Sequence, residues 1–162
     1  MGKMSMTIEG SFNHSLLQAK LASLFFSLRR FKAAIKLSLD VSQLGELSQF
    51  QIKATEELEP DVCVYPNTIT PDSENDILKM SEMPLLAIEI LSPRQSLEEL
   101  LDKFKVYFAL GIKSCWLVIP PLESVTVYSS DNMSKSFAMP LCQEVFDEIL
   151  DVKIPLMEIF VK

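Results

Sequence analysis

"MPLLAIEILSPRQ", residues 83–95, decides how this chain is read. From Pro84 to Leu91 it is aliphatic except for Glu89. Such a run reads as a strand covered on both faces. Side chains in a strand alternate, so Leu85, Ala87, Glu89 and Leu91 share one face, and Leu86, Ile88 and Ile90 the other. An unpaired carboxylate in that setting costs several kcal/mol or takes up a proton. Glu89 therefore calls for a cation, a hydrogen-bond network, or a place at the open end of a sheet.

Beyond the strand, Ser96-Leu97-Glu98-Glu99 is a capping box. It opens a helix over 97–110, with Leu97, Leu100, Leu101, Phe104 and Phe108 on its apolar face and Gly111 as its stop. "KSCWLVIP", 113–120, reads as a buried strand with Trp116 in the core, and "SVTVYSS", 124–130, pairs with it through a Pro120-Pro121 turn. The tail "EVFDEILDVKIPLMEIF" suggests a short strand and a final helical turn.

In the other direction, residues 67–82 are polar and turn-rich, and "PDVCVYP", 60–66, is a short strand bracketed by prolines. Leu17, Leu21, Leu24 and Leu28 fall at helical spacing and predict a helix over 13–30, with Asn13 as its cap and Arg29-Arg30 at its end. Ile35, Leu37, Leu39 and Val41 alternate with polar residues and predict a strand. "SQFQIKATEEL", 48–58, is a weaker second strand, and Gly45 marks the hairpin between them. The order predicts an α/β (α+β) fold with one mixed β-sheet flanked by helices. At 162 residues, 48% of them apolar, the chain fits one domain over 1–162.

Composition excludes several classes. No apolar run reaches the roughly 18–20 residues that span a bilayer, and "MGKMSMTIEG" lacks a signal-peptide core, so a cytoplasmic protein with no membrane partner is expected. Three widely spaced cysteines suggest buried thiols rather than a zinc site or a disulfide framework. A net charge of −7 argues against a protein that coats nucleic acid. The densest basic run, Arg29-Arg30-Phe31-Lys32 with Lys36 beyond it, is either a solvated helix end or a local nucleic-acid contact.

Asp61 begins another aliphatic strand, directly after a proline. If its strand neighbours that of Glu89, the two carboxylates converge, and converging carboxylates repel unless a divalent cation or a lysine lies between them. Magnesium suits such an oxygen-rich, partly hydrated site. Lys103 lies on the following helix at the border of its apolar face, one turn from Glu99 and from Tyr107. It either points back over the sheet to the carboxylates or snorkels and pairs with Glu99.

Taken in order, P-D at 60–61, E-x-L-S-P at 89–93, D-K-x-x-x-Y at 102–107, A-L-G-I at 109–112 and W-L-V-I-P at 116–120 resemble the Uma-two family. These are restriction-endonuclease-like proteins of the PD-(D/E)xK nuclease superfamily, and the resemblance spans residues 8–160. It implies a restriction-endonuclease-like core and hydrolysis of DNA phosphodiesters with Mg2+ or Mn2+. It implies catalytic roles for Asp61, Glu89 and Lys103, with the metal held by Asp61, Glu89 and the backbone carbonyl of Ile90. The superfamily's usual lysine would fall at Leu91, so Lys103 would act from the helix instead. The first helix adds His14 and Gln18 as possible accessory groups: His14 either contacts a metal-bound water or a phosphate, or caps and packs the helix. Glu9 could also face the site. Tyr107 either packs beside Lys103 or bonds to a site carboxylate. A homodimer is expected, because restriction-like enzymes often pair to cut two strands. The alternative is a catalytically inactive nuclease-fold protein that serves as a DNA-binding or regulatory module.

Overall fold

A computed structural model describes residues 10–45, 48–50 and 58–160. Glu9 and residues 51–57 of the weak strand expected over 48–58 lie outside the described residues. Of the hairpin expected around Gly45, Ser42–Leu44 and Ser48–Phe50 instead form short 3-10 turns, because neither segment finds a strand partner among the described residues.

Helix α1 (Phe12–Ser27) is capped by Ser11, whose hydroxyl accepts from the His14 amide; the cap falls two residues before Asn13. His14, Leu17, Leu21 and Phe25 form its buried stripe. Strand β1 (Phe31–Ile35) follows a left-handed turn at Arg29, φ 63°. The expected strand over 35–41 is thus displaced toward the N-terminus. The alternation in 35–41 is real, but pairing to β2 (Val62–Pro66) selects the earlier segment, in register Phe31↔Pro66 to Ile35↔Val62. Of the later segment, only Leu39 forms a bridge, to Met80. Strand β3 (Leu86–Ile90) is wholly buried, and helix α2 (Leu97–Ala109) carries the Ser96 cap expected of it. Gly111, φ 95°, ends α2 in the left-handed conformation that favours glycine.

Strands β4 (Ser114–Ile119) and β5 (Ser124–Ser130) meet through a single 3-10 turn at Pro120–Leu122. Strand β6 (Met133–Ala138) adds a sixth, polar edge strand that no apolar alternation announces. The sheet order is β1-β2-β3-β4-β5-β6. All neighbours are antiparallel except β3 and β4, which run parallel because α2 carries the chain across between them. The tail forms a hairpin of β7 (Glu144–Asp147) and β8 (Val152–Pro155), one strand more than expected, and then the short helix α3 (Leu156–Ile159).

Two apolar layers sandwich the sheet. Leu17, Leu21 and Phe25 of α1 pack on Val62, Val64, Leu86, Ile88 and Trp116, together with the β7–β8 hairpin and α3. On the other face, Leu100, Phe104 and Tyr107 of α2 pack on Cys63, Ala87, Cys115 and Leu117. This alternation puts Glu89 on the α2 side, next to Ala87.

Candidate active site

Three strand ends meet at one end of the sheet. Because β1 and β2 are antiparallel, as are β2 and β3, the exit of β1, the entry of β2 and the exit of β3 lie side by side. Lys36, Asp61 and Glu89 occupy these three positions. The β2–β3 pairing stops at Val62 and Ile88, so the amide of Ile90 lies beyond the backbone ladder. It donates instead to Asp61 Oδ2, at 2.7 Å.

Asp61 is 4% exposed and gathers partners from several elements. Nε2 of His14, on α1, is 3.1 Å from Oδ2, and Nζ of Lys36 is 3.2 Å from Oδ1. Burial works against its charge, but the hydrogen bond and charge of His14, the Ile90 amide and Lys36 outweigh it and hold the carboxyl below its ordinary value. Gln18, one turn along α1 from His14, donates to the Asp61 backbone carbonyl at 2.8 Å. Both α1 residues therefore position Asp61, and the His14 ring is bound to a carboxylate rather than serving as a helix cap.

Glu89 is 3% exposed and, among the described residues, has one hydrogen-bond donor, the Tyr107 hydroxyl, 2.5 Å from Oε2. Burial and the nearby Asp61 charge push its carboxyl up to about 8, against the opposing pull of Lys103, Tyr107 and Lys36. Lys103 lies one turn before Tyr107 on the same side of α2 and is half-buried. It makes no ion pair among the described residues, so the pairing with Glu99 does not form. Its influence on Glu89 is electrostatic.

Lys36 is the residue that sequence reasoning missed. As part of an expected strand over 35–41, it pointed to solvent. Once β1 ends at Ile35, opposite Val62, the next pair is Lys36 and Asp61. In the basic run before it, Arg30 donates to the carbonyls of Leu150 and Asp151 at 3.2 and 2.8 Å, and Lys32 to that of Ile69 at 2.5 Å.

A cleft of about 580 Å³ opens beside the site, lined by Ser11, Phe12, Asn13, His14, Leu91, Ser92 and Gln95, with Pro93, Pro120 and Pro121. His14 is shared between cleft and site. A larger groove of about 720 Å³ runs between α1 and α3, but it contains none of the site residues. Proximity to the chemistry, rather than size, marks the smaller cleft.

The donors suit a hard divalent cation. They are carboxylate oxygens, one of them on a buried group that has no ion pair among the described residues. Among the described residues, no three His, Cys, Asp or Glu side chains cluster as a metal cage. An ion here would rest on two carboxylates, backbone oxygen and water, the partial protein coordination that magnesium accepts.

A mixed sheet flanked by helices, with acidic groups at adjoining strand ends, fits a restriction-endonuclease-like fold. The chain belongs to the Uma2 family, described as "Putative restriction endonuclease", which it matches over residues 2–145. Its fold is similar to that of a "putative nuclease belonging to DUF820" from Anabaena variabilis ATCC 29413, with TM-score 0.73 and 20% identity, over 98% of this chain and 86% of the other. No curated protein matches the chain.

Proposed function

We propose that this protein is an endonuclease that hydrolyses DNA phosphodiester bonds with a divalent cation, Mg2+ or Mn2+. The observation that carries the reading is the convergence of two buried carboxylates, Asp61 and Glu89, from adjacent strands. Glu89 there is short of positive charge. The residues that would hold the ion are Asp61, Glu89 and the Ile90 backbone carbonyl. When bound, the ion would supply Lewis acidity at a phosphoryl oxygen.

The chain's own groups supply the rest. His14 and the Ile90 amide fix the Asp61 carboxylate, and Tyr107 fixes that of Glu89. Lys103 reaches the site from α2, and its ammonium offsets the negative charge that develops on the phosphate in the transition state. The cleft beside His14 admits the nucleic-acid strand. A cytoplasmic homodimer, able to cut both strands, belongs to the same reading.

Supercoiled plasmid incubated with the protein and Mg2+ or Mn2+ tests this directly. Wild type is expected to nick or linearise it, and Asp61→Asn and Glu89→Gln to lose both cleavage and Mn2+ binding by calorimetry. Unchanged Mn2+ affinity in both variants would sink the site assignment. A second reading, a non-catalytic DNA-binding or regulatory module, is favoured by two features. The net charge is −7, and both Asp61 oxygens are already engaged by protein cations or donors. DNA binding without cutting under any divalent metal would support it.

A further inference from the structure

Lys36 differs from the other cations of the site in three ways. Its backbone has φ 52°, a left-handed conformation that costs a lysine energy. Its amide bonds to the Asp61 carbonyl at 3.4 Å while its ammonium lies 3.2 Å from Asp61 Oδ1, so both ends of the residue are fixed on one partner. Its side chain is 57% exposed and that of Asp61 is 5% exposed, so the ammonium reaches from solvent to a buried carboxylate.

We propose that Lys36 is a tethered counter-cation that occupies Asp61 until a divalent metal ion displaces it, and that it thereby sets the metal concentration at which the site loads. This rests on the reading that Asp61 and Glu89 hold such an ion. Asp61 Oδ2 is committed to His14 and the Ile90 amide, whereas Oδ1 is engaged by Lys36 alone among the described residues. Oδ1 is thus the oxygen an incoming ion must take. An ammonium and a divalent ion cannot share it closely, because like charges a few ångströms apart repel. A lysine yields more readily than an arginine, being a single point charge on a flexible stem rather than a rigid fork. The exposed stem of Lys36 has solvent to move into, and Lys103 does not compete, since it makes no ion pair among the described residues.

Calorimetric titration with Mn2+ tests this on the intact chain. Lys36→Met is expected to bind Mn2+ about fivefold more tightly, the size of one partly exposed ion pair. Lys36→Arg keeps the charge and is expected to bind no more tightly than wild type, and Asp61→Asn is expected not to bind. In a second measurement, acetylation of Lys36 by an N-hydroxysuccinimide ester is followed by peptide mass spectrometry. It is expected to speed up when Mn2+ is added to wild type and not when it is added to Asp61→Asn. Should Lys36→Met fold poorly, the acetylation comparison decides alone. Affinity in Lys36→Met equal to or below wild type, with binding still lost in Asp61→Asn, overturns the role of Lys36 and leaves the metal site standing. Mn2+ binding that survives Asp61→Asn, or is absent from wild type and Lys36→Met alike, overturns the site itself and this proposal with it.

Discussion

Glu89 is held between opposing demands. The strand that carries it is buried, and the proposed metal site needs its carboxylate ionised. In the folded protein without metal, its pKa lies near 8 against an ordinary 4.5, with burial as the first cause and the Asp61 charge as the second. A raised carboxyl means that the native state keeps a proton that the unfolded chain releases. Its effect on stability is therefore most favourable below pH 4.5 and is lost as pH rises toward about 8. Asp61 has the opposite sign, and its contribution is lost only as pH falls below its ordinary 3.8. With chelator present, Glu89→Gln should raise the melting temperature over wild type at pH 8.5 and do so much less at pH 5. An equal gain at both values would contradict the assignment. Tyr107→Phe removes a hydrogen-bond donor to a buried carboxyl, and denaturant unfolding should show a loss of about 1–3 kcal/mol. Glu89 was legible in the sequence because a lone acid interrupts an aliphatic run, and Asp61 because it opens one. Lys36 was not, because only the strand register brings it to Asp61.

At the level of elements, legibility followed burial. Strands β3 and β4 and helix α2 are read correctly because their apolar patterns are long and their ends are marked. Strand β6 is polar and mostly exposed, and is held by its pairing to β5. Strand β1 was placed too late because two overlapping segments could each serve, and long-range pairing chose between them. The β7–β8 hairpin hangs on Asp147, which is 1% exposed. Asp147 accepts from Ser114 and Trp116 of β4 and from the amides of Ile149 and Leu150 in its own turn. Asp147→Ala strips all of these at once and should cost about 3 kcal/mol or more, since buried donors are left unpaired. Ser96→Ala, which removes only the cap of α2, should cost about 1 kcal/mol by the same measurement.

Across the whole molecule, charge is divided by place. The chain carries −7 overall, while Lys36 and Lys103 are drawn to one end of the sheet. On the proposed nuclease reading, DNA binding should depend on these two lysines and show a shallow salt dependence, log Kd changing with log salt by about 2 per decade. A steeper slope in anisotropy titrations would point to a second basic surface. We also expect a single cooperative unfolding transition by calorimetry, as the core shared by α1, the sheet and the β7–β8 hairpin implies, and sedimentation as a dimer. The parallel β3–β4 pairing has one more consequence, which concerns the order of synthesis. The hydroxyl that steadies Glu89 lies 18 residues downstream, so the ribosome delivers the acid about 1–4 s before its partner. During that interval the nascent strand offers a bare apolar face. The capped, locally encoded α2 then folds within microseconds of emerging and packs on that face, and β4 closes the edge.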